Sequence, residues 1–249
     1  LSPFDGYGIQ VAGFEHRQMM TMMNYNYDYY PKLMESLGFE KEVDFVSCYL
    51  PAHEFKIPER VESIAKRVIE RGTLTVKKFK SKRELIKWAP RIGEAYNKAF
   101  IHNWEYYPFS RGDIQYAVDN IFLVADPRLI KVILAGEEIV GFLFAFPDVS
   151  AALQRAKGRL FPFGIVDILL EMKRAKTISG NGMGILPEFQ GRGGNALLYY
   201  EMGKTVLGFN QFDHVEMTQV AETTEQMRAD LKNLNGVEYK NHRVYRKSI

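Results

Sequence analysis

Leu186-Pro187-Glu188-Phe189-Gln190-Gly191-Arg192-Gly193-Gly194-Asn195-Ala196-Leu197-Leu198 is the stretch on which the reading of this chain turns. Apolar residues at both ends enclose three glycines and an arginine. Residues 177–186 before it read as a strand interrupted by Gly180, Gly182 and Gly184, and residues 193–208 after it have helical spacing. A glycine-rich turn from strand into helix favours an anion. The first turn of a helix carries N–H groups without intrahelical partners, and the helix dipole adds partial positive charge there. Glycine lets a bulky pyrophosphate approach the backbone, and Arg192 adds several charged donors. On these residues alone, a glycine-rich connection that holds no ligand remains the alternative. The turn is not a Walker loop, because the Gly-Lys-Ser/Thr ending is missing, and G-x-G-x-x-G is absent.

Outward from the turn, residues 73–249 have the pattern of a complete α/β domain. Residues 73–78 alternate as a first strand, and 82–100 and 113–121 have helical spacing. Residues 130–135 and 139–146 are apolar strands joined by Gly136-Glu137-Glu138, a hairpin signal. Residues 150–157 and 163–176 read as helices around a break at 158–162. After the glycine-rich turn and its helix, 214–220 is a strand, 224–234 a helix and 237–246 a last strand. This order predicts an α/β fold with a mixed sheet covered by helices on both faces.

The preceding residues look like an end without a beginning. Residues 7–12 and 43–50 read as strands and 30–37 as a short helix stopped by Gly38, too little to bury a core. Met19, Met20, Met22 and Met23 read as packing against a neighbour, with a soft binding surface as the alternative. Residues 51–58 form a linker with two prolines. Val61, Ile64, Ala65, Val68 and Ile69 then give a helix one apolar face, and Gly72 stops it. The expected division is 1–50, 51–72 as linker and connecting helix, and 73–249. Residues 33–40 and 231–238 share a helix–Gly–strand pattern, a faint internal repeat. The start lacks a methionine, as a processed chain or one cropped from something longer would.

Composition bounds the partners. There are 33 basic and 30 acidic residues, a net charge of +3, which argues against a nucleic-acid partner. The single cysteine, Cys48, fits a reducing interior. No apolar run approaches the ~18 residues of a membrane span, and residues 1–10 do not read as a signal peptide. These features give expectations of a cytoplasmic protein with no membrane partner. No His, Cys or carboxylate spacing suggests a metal.

The segment Gln190-Gly191-Arg192-Gly193-Gly194-Asn195 resembles the acyl-CoA-binding signature of GNAT N-acetyltransferases, Gln/Arg-x-x-Gly-x-Gly/Ala. Asn195 stands where that family has Gly or Ala. Asn103-Trp104-Glu105-Tyr106-Tyr107-Pro108, Ile139-Val140-Gly141-Phe142, Gly158-Arg159-Leu160-Phe161-Pro162 and Arg243-Val244-Tyr245 are similar to a bacterial branch with two GNAT-like halves. The resemblance covers 73–249. It implies a GNAT acyl-CoA N-acyltransferase fold there, with a partial second GNAT-like unit at the N-terminus: 1–50 as the tail of a first half docked on the second. It also implies coenzyme A or acetyl-CoA as acyl donor, held by Gln190, Gly191, Arg192, Gly193, Gly194 and Asn195, and a small-molecule or peptide amine as acceptor. The strand holding Gly182 would part from 214–220, with the pantetheine arm against the backbone of Met183, Gly184 and Ile185. The strand glycines fit a close backbone approach.

Acyl transfer requires a neutral amine, a polarised thioester carbonyl and a proton for the leaving thiolate. Glu216 is the first candidate base, since alternation puts it on one face with His214 and Thr218. A solvent-facing, salt-bridging role is its alternative. Glu222 is the second candidate. Tyr106 and Tyr107 fall where the family places its acceptor site, and their rings suit an amine by cation–π contact or serve plain packing. The family's acid, a Tyr, corresponds to about Leu231, and its Asn to about Thr224, neither of which matches. Two functions follow: an N-acyltransferase, or a GNAT-like module that binds acyl-CoA or a protein partner without turnover.

Overall fold

A computed structural model describes residues 6–19, 23–52, 55–104, 106–120 and 124–248. In chain order the elements begin with β1 (Ile9–Ala12), α1 (Tyr30–Ser36), β2 (Glu40–Pro51), α2 (Glu59–Arg71), β3 (Thr75–Lys77) and α3 (Lys82–Phe100). Next come α4 (Arg111–Asn120), β4 (Ile130–Ala135), β5 (Glu138–Pro147), α5 (Ser150–Ala156) and α6 (Phe163–Arg174). The chain continues through β6 (Thr177–Ile185), α7 (Gly194–Phe209), β7 (His214–Ala221), α8 (Glu225–Asn233) and β8 (Val237–Arg246). Two short 3-10 turns, Pro127–Leu129 and Pro187–Phe189, interrupt what the sequence pattern leaves as loop.

Local chemistry sets these boundaries. Ser81 accepts from the Glu84 N–H at 3.2 Å, while the Glu84 carboxylate accepts from the Lys80 N–H at 2.7 Å, so side chains fix the start of α3 from both sides of the cap. Gly72 ends α2 in the left-handed region at φ 65°.

The contacts divide the chain into two units with bounds other than those expected from sequence. The first comprises Leu1–Pro51, Asp148–Ser179 and His214–Ile249; the second comprises Ala52–Pro147 and Gly180–Asp213. In the first unit the strand order is β1-β8-β2-β7, and every neighbouring pair is antiparallel. β2 lies between β8 and β7, so residues 40–51 form an interior strand of this unit. Asp44 on β2 accepts from Arg243 Nε at 2.7 Å, Arg243 Nη2 at 3.0 Å and Asn241 Nδ2 at 3.0 Å on β8. Met19 and Met23 are buried, as packing requires; Met20 and Met22 lie outside the described residues.

In the second unit the strand order is β6-β5-β4-β3, with β6 belonging to it from Gly180 onward. The hairpin β4–β5 turns on Gly136 and Glu137, with Gly136 at φ 61°. Its core is built by Leu85 and Ile92 of α3 with Val132, Ile139 and Phe142 of the hairpin. α7 packs against α2 in this unit.

Candidate functional site

The glycine-rich turn belongs to the second unit and is anchored at both ends. Leu186, Leu197 and Leu198 are buried, and the Leu186 N–H donates to the Val140 carbonyl at 2.9 Å. Between those anchors the chain is exposed at Gln190, Gly191 and Arg192. Gly191 has φ 73°, and a Cβ placed on it would meet nothing within 4 Å. Gly193, at φ 84°, is the cap residue of α7 and gives the helix no side-chain cap. The Arg192 guanidinium carbon sits 4.9 Å from the centre of the Phe189 ring, which holds the cation beside the helix start. This is a helix beginning without a side-chain acceptor, flanked by an exposed cation and an unobstructed glycine. Those features fit a pyrophosphate.

Packing explains three of the other glycines, and at Gly182 a Cβ would make only ordinary contacts, 3.6 Å from Phe144 and Tyr96. A Cβ on Gly193 would come 2.8 Å from Val68 Cγ2 and 3.0 Å from Ile64 Cγ2, both on α2. One on Gly194 would come 3.0 Å from Ile133 and 3.1 Å from Ile185. At Gly184 it would meet Phe142 Cζ at 2.7 Å and Ala99 Cβ at 2.9 Å. Gly184 therefore has a packing reason for lacking a side chain. Met183 is buried, and the Ile185 carbonyl accepts a long 3.4 Å hydrogen bond from Gln190 Nε2.

The two tyrosines part company. Tyr106 donates its hydroxyl to Asn97 Oδ1 at 2.6 Å, and the same Asn97 oxygen accepts from the Phe109 N–H at 2.8 Å. Its ring lies 6.2 Å from that of Tyr96. Tyr106 thus pins the loop after α3, whereas Tyr107 is 78% exposed. They do not form one aromatic wall.

The candidate bases lie in the first unit. Glu216 is only 6% exposed, which excludes the solvent-facing alternative. It sits on β7 opposite Tyr49 of β2, and its Oε1 is 3.7 Å from Nζ of Lys240 on β8. Burial raises its pKa to about 7, against the pull of Lys240 and Arg17 toward the carboxylate. Lys240 is also buried, and burial lowers its pKa. Its Nζ donates to the Arg17 carbonyl at 2.5 Å and to Tyr239 Oη at 3.1 Å. Sequence reasoning missed Lys240. A signal was present: Lys240 and His242 alternate on β8, and both are buried.

A bulge limits the expected face of β7. Val46 pairs with Val220 but Cys48 with Met217, so β7 holds an extra residue there, and Gln219 takes φ 51°. Regular alternation from His214 and Glu216 ends before it reaches the far end of the strand. Glu222 follows the strand and accepts from Lys41 Nζ at 2.8 Å and from the Asp44 N–H at 3.0 Å. Its carboxylate ties the loop to β2. Leu231 is buried on α8, and Thr224 stands at that helix's start without a side-chain cap bond.

No family model matches the chain. Among solved structures it is similar to a GCN5-related N-acetyltransferase from Sphaerobacter thermophilus, with a TM-score of 0.55 at 15% identity over 89% of this chain and 56% of that one. The chain has the GNAT fold. Curated relatives include Protein YghO of Escherichia coli (strain K12), 23% identical over 250 residues. Bacterial ceramide synthase of Caulobacter vibrioides (strain NA1000 / CB15N) is 26% identical over the same length. Each similarity covers 97% of this chain, which spans 62% and 63% of those two proteins.

Proposed function

We propose that this chain is the acyl-CoA-binding part of an N-acyltransferase that moves an acyl group from coenzyme A to an amine. The observation that carries the proposal is the start of α7: Gly191 open and left-handed, Arg192 exposed beside it, and no side chain capping the helix. Gln190, Gly191, Arg192 and the first N–H groups of α7 would hold the pyrophosphate. Acyl-CoA would supply a thioester: its C–S bond breaks, a C–N bond forms, and the amine proton ends on the thiolate. Glu216 is the proposed base, because a carboxyl that titrates near neutrality can accept a proton at working pH.

The relative named as a ceramide synthase directs the choice of acceptor. A ceramide is the amide of a fatty acid with a long-chain amino alcohol. Long-chain amino alcohols therefore head the acceptor panel, ahead of peptide and small polar amines, and long-chain acyl-CoA is tested beside acetyl-CoA. Release of CoA thiol with any amine supports turnover. Arg192→Glu should weaken CoA binding by roughly 1–3 kcal/mol in calorimetry, through a lost charge-assisted bond and added repulsion. Unchanged affinity would refute the site. The buried Leu231 at the position of the family's acid favours a second reading, a module that binds without turnover. Thermal stabilisation by CoA with no thiol release across the panel would select it.

A further inference from the structure

The α5–α6 hairpin of the first unit carries an apolar surface that the fold does not cover. Phe161 and Phe163 are 84% and 81% exposed, and Leu160, Val166, Leu169 and Leu170 are exposed with them. On α6 the residues 163, 166, 169 and 170 recur at helical spacing and form one stripe. The opposite side of the same helix is buried through Gly164 and Ile168. Gly164 lies against the Arg159 carbonyl with no room for a Cβ. The stripe is thus the outer face of a packed helix.

The hairpin is held firmly behind this face. Arg155 of α5 donates to Asp167 at 2.9 Å through both Nε and Nη2, and pairs with Glu171. At the base, Arg17 pairs with Asp148 and donates to Thr177 Oγ1 at 3.1 Å. The Asp148 N–H donates to the Thr177 carbonyl at 2.9 Å.

Charge identifies the occupant. Residues 150–176 contain six cations (Arg155, Lys157, Arg159, Lys173, Arg174, Lys176) and two acids, Asp167 and Glu171. Both acids are engaged by Arg155 on the flank of α6. Lys157 and Arg159 stand exposed beside the phenylalanine tip, and Lys173 and Arg174 are exposed at the far end of the stripe. Aromatic and aliphatic side chains on one face with lysine and arginine at its margins are what an interfacial helix presents to an anionic bilayer. A second copy would bring two cationic margins together, which disfavours self-association. The chain's net charge of +3 conceals this local excess. No helix among the described residues is long and apolar enough to cross a membrane, so the contact would be peripheral.

We propose that Leu160, Phe161, Phe163, Val166, Leu169 and Leu170 dock this protein on the surface of an anionic lipid membrane. This departs from the expectation, drawn from composition, of no membrane partner. It does not depend on acyl transfer, and its test needs no turnover. The protein is floated with vesicles of phosphatidylcholine alone and with vesicles in which roughly one third of the lipid is phosphatidylglycerol. Binding is expected to the anionic vesicles and to weaken with salt. Phe161→Ala with Phe163→Ala should lower partitioning by about tenfold or more, since both side chains leave water on docking. Both are exposed, and an unchanged circular dichroism spectrum and melting temperature would verify the fold. Lys157→Glu with Arg159→Glu should weaken binding and flatten its salt dependence, while Leu37→Ala, an exposed apolar residue outside the hairpin, should leave it unchanged. Absence of flotation, or equal flotation of the double-alanine variant, would overturn the proposal. So would a concentration-dependent dimer, abolished by that variant, in a protein that ignores vesicles.

Discussion

Replacing Glu216 by Gln removes a titration and little volume, so it isolates the cost of ionising this side chain inside the first unit. In the unfolded chain the carboxyl titrates near its ordinary value of 4.5; in the fold, burial moves it to about 7. Below the lower value both states hold the proton, and stability does not change with pH. Between the two values the folded state keeps a proton that the unfolded state has lost, so stability falls as pH rises. Above the upper value the loss is complete. At about 1.4 kcal/mol for each pH unit, the difference corresponds to about 3 kcal/mol. The groups facing Glu216 are Lys240 of β8, Tyr49 of β2 and Arg17, with His214 two residues before it on β7. They are present in both proteins, but Lys240 loses its carboxylate neighbour in the variant, so its ionisation shifts as well. Urea unfolding of wild type and Glu216→Gln between about pH 4 and about pH 8 should show the variant gaining on wild type by that order. Where acyl transfer is detected, kcat/KM of wild type should rise through an ascending limb near pH 7 and fall in the variant by about 10²- to 10⁴-fold. Parallel stability curves would mean that Glu216 ionises freely in the fold, and the argument for a neutral-pH base would fail.

Asp44→Asn should destabilise the protein by about 1–3 kcal/mol at neutral pH, because Arg243 loses its carboxylate partner. Burial alone would raise the Asp44 pKa, but hydrogen bonds from Arg243, Asn241 and Lys41 outweigh it and hold it at about 2. Wild type should therefore lose this contribution as pH falls from 3.8 toward 2, visible as an acid transition that the variant lacks. Gly184→Ala should cost roughly 1–3 kcal/mol in denaturant unfolding through its clash with Phe142 and Ala99. Deleting residues 1–51 should leave β7 and β8 without the strand between them, giving an aggregating protein by size-exclusion chromatography; a soluble monomer as stable as the whole chain would contradict the role assigned to β2.

What the sequence made legible was local. The helical spacing of 82–100, the Gly136-Glu137-Glu138 hairpin signal and the apolar runs of β4 and β5 each lie within one short stretch, and the elements form close to where that signal places them. The course of the sheet is another matter. Nothing near residues 40–51 announces that β2 will lie between β8 and β7, because its partners are about two hundred positions away. Pairing across the sheet also hid the environment of Glu216. Alternation along β7 makes it a candidate, but Tyr49 and Arg17 beside it lie far away in the sequence, Lys240 meets it only through β8, and the bulge that ends the alternation is a property of the pairing with β2. Position in its loop alone makes Tyr106 a candidate. Its partner Asn97 sits on the preceding helix, and nothing in the pattern of α3 sets that residue apart.

The glycines show how packing narrows a motif. Read along the chain, Gly180 to Gly194 form one glycine-rich region with one reason for being so. In three dimensions Gly184 makes room for Phe142 and Ala99, Gly193 for Ile64 and Val68, and Gly194 for Ile133 and Ile185. A protein with no ligand would still need those three. Gly191 differs: no neighbour demands its missing side chain, and only its left-handed φ of 73° favours glycine. In the proposed site the ligand is therefore met by Gln190, Gly191, Arg192 and the first N–H groups of α7, while the missing side chains at Gly193 and Gly194 serve packing. They let α7 begin against α2 and β4, and so fix where its N–H groups point. A substitution at Gly193 should thus disturb packing first and binding only as a consequence, whereas Arg192 tests binding alone.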